Sequence, residues 1–296
     1  MRRICVLAAM LALGVSSQAD AHAWGNQLFF GVQFPDGNEP TIDGDSSDWD
    51  VVPDNPYLIG NDLFADMYYG TTTQGEIDIS DMSIRSMWGW NENSQLIYAM
   101  AEVFDDIHVV DRDEPNAWWA DDAWEVYLNP LHQERSEQTF GAEEGWSRYY
   151  IGISVPEAAG NIGDALPGFE WRDKPEDGVQ WGVGWSFTGE EFGESTYTYE
   201  LWMKPWDFVS LDGDLDSIEW TVLEEEKILG MSMAFDDDDI GGTERTNFWS
   251  TDDIGCCVGA NDLWLSGLDD SIDWGDQMTA VQSDTWGRIK TQFNGQ

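Results

Sequence analysis

Residues 116–130, NAWWADDAWEVYLNP, decide how the rest of the chain is read. From Ala123 to Leu128 the segment alternates with the period of two that marks a strand. Trp124, Val126 and Leu128 share one face, and Glu125 and Tyr127 share the other. Ahead of the strand stand two adjacent tryptophans, Trp118 and Trp119, and two adjacent aspartates, Asp121 and Asp122. Such a loop sets flat apolar rings beside hydrogen-bond acceptors, a combination that suits a sugar ring with its C–H faces and hydroxyls. The same residues also suit a plainer role, in which the tryptophans cap a core and the aspartates form a solvated turn.

Similar alternation recurs on both sides of this stretch. Strands are expected at residues 79–90, 96–104, 146–155, 180–187, 195–203, 228–235 and 286–293, with a short edge strand within 27–34. Helical periodicity is confined to residues 216–227, where a short helix is expected. Residues 53–76 and 156–178 are rich in Pro, Gly, Asp and Asn and read as loops. Many short strands between turn signals predict an all-β fold, an antiparallel β-sandwich or jelly roll with long loop insertions, in a single domain over residues 24–296.

Residues 1–23 have the layout of a secretory signal peptide: Arg2 and Arg3, an apolar run, then Ala21-His22-Ala23. That run is too short for a membrane span, so an exported protein, periplasmic or extracellular, is expected. The chain carries 58 acidic and 13 basic side chains, a formal net charge of −45. This charge excludes nucleic acid as an electrostatic partner and opposes binding to anionic membranes. Since 14% of the residues are aromatic, disorder does not explain the acidity. A surface adapted to high salt, bound divalent cations, or both, do. After cleavage, Cys256 and Cys257 are the remaining cysteines. Adjacent residues close only a strained ring, which leaves self-association through them, or two free thiols.

Six landmarks in order resemble the family 9 carbohydrate-binding modules, sandwiches related to the dopamine-monooxygenase N-terminal domain. They are Ile42-Asp43-Gly44 with Trp49; Trp88, Leu96 to Ala99, Val103 and Asp105-Asp106; Trp119, Asp122 and Glu125 spaced three and three; Tyr199-Glu200-Leu201 with Pro205-Trp206; Gly230, Phe235 to Asp237, Arg245 and Trp249; and Trp286 to Ile289. The resemblance runs from about residue 40 to 293, with insertions at 53–76, 131–145, 156–178 and 255–280. It implies a non-catalytic β-sandwich with bound calcium that clamps the end of an oligosaccharide or polysaccharide between two tryptophans. Carried over residue by residue, it implies Trp119 as one platform and Trp264 or Trp274 as the other. Arg148 is the implied polar contact, and Asp122 and Glu125 are carbohydrate-site candidates at motif positions that either hold a ligand hydroxyl or fix the loop.

Calcium takes six to eight oxygen ligands, and Asp43, Asp105, Asp106, Asp236 and Asp237 are the candidates. No Gly-x-Ser-x-Gly, P-loop or His-Glu-x-x-His motif is present. Trp49, Trp88, Trp206 and Trp249 are expected in the core. The competing reading is an electron-transfer domain with b-type haem held by Met100 and either Lys204 or His108. A third is an assembly protein.

Overall fold

In this computed structural model the described residues are 27–67, 77–112, 118–133, 149–155, 181–190, 192–208, 216, 218–242, 245–251 and 261–275. They form fourteen strands: β1 (Leu28–Gln33), β2 (Ile59–Gly60), β3 (Ala65–Asp66), β4 (Met82–Asn91), β5 (Leu96–His108), β6 (Ala123–Asn129), β7 (Tyr149–Ile153), β8 (Trp181–Thr188), β9 (Gly193–Met203), β10 (Trp206–Phe208), β11 (Glu219–Trp220), β12 (Ile228–Asp237), β13 (Asn247–Ser250) and β14 (Asn261–Leu265). No helix among the described residues is long and apolar enough to cross a membrane. The expected strand at 286–293 and the signal peptide lie outside the described residues, as do Arg148, Cys256 and Cys257.

One layer runs β1-β4-β5-β9-β8, and the other is built on β12, flanked by β6 and β7 on one side and by β13 and β14 on the other. Trp88, Ala99, Tyr199 and Leu201 of the first layer share a core with Trp124, Val126, Met233 and Phe235 of the second. Alternation put these residues inward, and Trp49, Trp88, Trp206 and Trp249 are all buried as expected. β6 goes further than alternation implied: Glu125 and Tyr127 are also buried, so this strand is covered on both faces.

The sandwich is not purely antiparallel. β1 pairs in parallel with both β14 and β4 (Phe29 beside Leu263, Gly31 beside Trp88), so the expected edge strand is internal and links the two layers. Its side chains explain this. Phe29 enters the main core, while Val32 joins a second cluster on the outer face of β4 and β5. A strand buried on both faces is the usual setting for parallel pairing. Among the described residues the helix expected at 216–227 is also absent. Thr221 N–H donates instead to the Pro205 carbonyl and Leu223 N–H to Gln95 Oε1. Glu224, Glu225 and Glu226 would stand in the last turn of such a helix, where acidic side chains oppose its dipole. Within 53–67 the aromatics have a purpose: Tyr57 and Phe64 are buried beneath β2 and β3, which pair with β4 and β13.

The second cluster is closed by residues 34–58, and Glu200 fixes that layer in place. Its carboxylate accepts hydrogen bonds from Asp43 N–H (3.0 Å), Gly44 N–H (2.9 Å) and Trp49 Nε1–H (3.1 Å). Gly44 sits at φ +86°, and a Cβ there would lie 2.2 Å from the Trp185 backbone, so Ile42-Asp43-Gly44 can lie flat against β8 only with glycine at this position. Asp43 is therefore part of this turn and belongs to no carboxylate cluster. Leaving three donors without their acceptor predicts that Glu200→Ala loses about 3 kcal/mol in urea unfolding. Glu200→Gln, which keeps one acceptor oxygen, should lose less; equal stability of E200A and parent would refute this account of the turn.

Candidate functional site

The W-x-x-D-x-x-E motif lies at the end of the sandwich where β5, β6 and β12 all terminate. Trp119 stands in the 3-10 turn Trp118–Ala120 with 37% of its surface exposed. The two aspartates after it point inward. Asp121 accepts from the backbone N–H groups of Asp111 and Arg112 and from the Arg112 guanidinium. Asp122 accepts from the Val109 N–H and from the Asp238 N–H at 2.7 Å. The head of β6 is thus tied to the loop after β5 and to the loop after β12. Asp122 is fully buried, so its place is beneath the rim as an anchor and not in contact with a ligand hydroxyl.

Glu125, the other acid of the motif, is likewise buried and takes the bracing place of its two expected roles. It lies 3.1 Å from the Arg245 guanidinium, which also bonds Asp236 and stacks 3.9 Å over the Phe248 ring. Burial raises the pKa of both carboxyls, and the single guanidinium between them only partly offsets this. Asp236 thus has Arg245 as its counter-charge, with one oxygen on the guanidinium and the other without a hydrogen-bond partner.

Asp105, His108 and Asp122 form a second buried group. His108 Nε2–H donates to the Val155 carbonyl at 2.8 Å, and Nδ1 lies 3.2 Å from Asp105 and 3.3 Å from Asp122. Burial alone would lower the His108 pKa. Hydrogen bonds to the two carboxylates outweigh it and carry it to about 10, so the ring is a buried cation at neutral pH.

A third group has no such protein partner. Asp81, Asp106 and Asp239 bring carboxylate oxygens within 4.8 Å of one another. Asp237, buried beside them, spends one oxygen on Asn247 and Trp249, while its other oxygen has no hydrogen-bond partner. The same is true of one oxygen each on Asp106 and Asp239. Among the described residues no salt bridge reaches these four side chains. Burial and the neighbouring charges of Asp239 and Asp106 push Asp81 up to about 6. Burial, reinforced by Asp81 and Asp105, pushes Asp237 up to about 7. Orphaned oxygens of this kind fit a hard, oxygen-seeking cation. Asp106 and the acidic stretch Asp236 to Asp239 were legible as candidates. Asp81 comes from chain folding, which brings the start of β4 beside the ends of β5 and β12.

The second tryptophan platform does not form as the motif order implied. Trp274 is 6% exposed and packs edge-on against Phe34 at 5.5 Å. Trp264 is 36% exposed and stacks on Phe30, but it pairs with Ile228 at the far end of β12. Ala123, at the head of the rim strand, pairs with Asp236. Eight residues of strand separate those positions, about 26 Å, so Trp264 cannot face Trp119 across one sugar. The haem arrangement fails on similar grounds. Met100 is buried in the second cluster, His108 lies eight residues farther along β5 and is held by Asp105 and Val155, and Lys204 Nζ sits 4.6 Å over the Trp220 ring.

No protein-family model matches the sequence, and no curated protein does. Among solved structures, the chain is similar to a family 9 carbohydrate-binding module from Caldicellulosiruptor kristjanssonii in complex with glucose, at 14% identity and a TM-score of 0.46, over 82% of this chain and 98% of that one. It is also similar to a Bacteroides uniformis protein proposed to bind carbohydrate, at 14% identity and a TM-score of 0.41, over 81% and 99% of the respective chains.

The carboxylate group sets a pH dependence. Asp81 and Asp237 ionise near 3.8 when unfolded but at about 6 and about 7 when folded. Between those values the folded state holds more protons, so stability is fully present below about pH 4 and is lost as pH rises through 6 to 7. In chelator, the melting temperature should fall from pH 5 to pH 8, and the fall should be shallower in Asp237→Asn. An identical slope in parent and variant would contradict the assignment.

Proposed function

We propose that this is an exported, non-catalytic carbohydrate-binding protein whose ligand stacks on Trp119, with calcium held beside the rim by Asp81, Asp106, Asp237 and Asp239. The observation that carries the reading is the geometry of the W-x-x-D-x-x-E motif. Its tryptophan is open to solvent, while its two acids are buried and anchor the chain that follows, Asp122 to the backbone of Val109 and Asp238 and Glu125 to Arg245. A rigid, exposed indole presents a large apolar face at little entropic cost on binding. The export signal and the order of the six sequence landmarks support the same reading. Calcium would supply positive charge where four carboxylates converge, and it would lock the ends of β5 and β12 together next to Trp119.

The ligand reading is tested by titrating parent and Trp119→Ala against a glycan panel. The expected result is a loss of tenfold or more in affinity for whichever glycan the parent recognises; equal affinity would remove Trp119 from the site. The cation reading is tested separately by melting at pH 7.5. Calcium at about 100 times its Kd is expected to raise the melting temperature by about 5–10 °C. Asp237→Asn and Asp239→Asn should each diminish the rise, and a parent indifferent to calcium and to chelator would exclude the cation.

A further inference from the structure

The layer that closes the second cluster covers only half of the outer face of β4, β5, β9 and β8. Met87, Tyr98 and Met100 lie beneath it. Farther along the same strands the face is open, and it forms a groove of about 400 Å³. Two rows of side chains cross its floor in register. Ser83, Phe104, Thr196 and Thr188 make one row, and Arg85, Glu102, Thr198 and Ser186 the other. Four strands at ordinary spacing give a floor about 14 Å wide, the width of a few sugar rings. Residues of the covering layer wall one side: Ser46 Oγ donates to Glu102, and Asp54 lies 3.9 Å from Arg85.

Three features set this face apart. Of the ten residues lining the groove, Glu102 is the one acid and Arg85 the one base, and they pair at 3.0 Å. The floor is therefore neutral on a chain with a net charge of −45. Its remaining polar groups are hydroxyls, which both donate and accept. Phe104 lies half-buried in the first row, an apolar ring among those hydroxyls. Serine and threonine suit a solvated strand on their own. They do not account for an open phenylalanine, nor for the loss of carboxylates from a concave face whose next positions along β4 and β5 are Asp81 and Asp106.

We infer that this groove is a second carbohydrate site, separate from the Trp119 rim, which takes a stretch of neutral polysaccharide laid across β4, β5, β9 and β8. Phe104 would stack a sugar ring, the serine and threonine hydroxyls would meet its hydroxyls, and the Arg85–Glu102 pair would offer a donor and an acceptor held in fixed positions. The floor selects the occupant: an anionic chain would be repelled by the surrounding acids, whereas rows of hydroxyls beside one aromatic ring match the hydroxyls and C–H faces of a neutral chain.

The test is affinity electrophoresis of the full exported chain in gels containing soluble β-glucan, xylan, galactomannan or starch. Parent is compared with Trp119→Ala, with Phe104→Ala, and with a double variant, Ser186→Glu plus Thr196→Glu, at two exposed positions where folding is not at stake. The expected result is retardation of the parent by at least one polysaccharide, with binding at least tenfold weaker in the double variant and in Phe104→Ala. Trp119→Ala should still be retarded by that polysaccharide. If Trp119→Ala alone loses retardation, the ligand sits at the rim and the groove proposal falls while the rim reading stands. Loss in the groove variants with full binding by Trp119→Ala supports the groove and removes the rim. No retardation of the parent by any of the four overturns the groove. So does a change in oligomeric state of the double variant in light scattering, which would assign the face to a second copy of the chain.

Discussion

The carboxylate of Asp122 holds together the end of the sandwich where β5 and β12 finish and β6 begins. It is withdrawn from water and accepts N–H groups from the loops that follow β5 and β12, with the His108 ring 3.3 Å away. A buried charge survives only where donors and a counter-charge replace its hydration, so the loops that supply those donors cannot drift without exposing it to a heavy penalty. Trp119, three residues before Asp122, leads directly into this anchored chain, and 37% of its surface stays exposed.

Three bases face the buried acids near this end. Asp105 and Asp122 share the His108 cation, Asp121 has Arg112, and Glu125 and Asp236 share Arg245. These pairings draw on a chain that has only 13 basic side chains for 58 acids. Asp81, Asp106, Asp237 and Asp239 fall outside the supply, and a proton or a metal ion must do for them what arginine does for their neighbours. Acidity that looks like surface adaptation in the composition thus has a second, internal component at one end of the sandwich.

Much of the architecture was legible because period-two alternation survives in β4, β5, β6, β9 and β12, and because tryptophans such as Trp49 and Trp206 have few places to go except a core. What alternation cannot reveal is what covers a strand's second face. Glu125 and Tyr127 looked solvated by pattern and are buried, and residues 27–34 looked like an edge and lie between two parallel neighbours. The site was half legible for a related reason. Motif spacing singled out Trp119, Asp122 and Glu125, but a one-dimensional motif does not distinguish a side chain that touches a ligand from one that braces the loop beneath it. Asp81 and Asp239 join Asp106 only through the pairing of distant strands, and Trp264 is removed from the rim by register along β12. Neither fact exists at the level of local sequence.

The parallel pairing of β1 with β14 also bears on how the chain acquires its structure. Phe29 and Leu263 are neighbours in the sheet although more than two hundred positions separate them in the chain. Joining the two layers must therefore await synthesis of almost the whole polypeptide, and loop closure over that span comes late and slowly. Before β14 has been made, β1 can pair with β4 but not with its other parallel neighbour, so the seam between the two layers stays open along that edge.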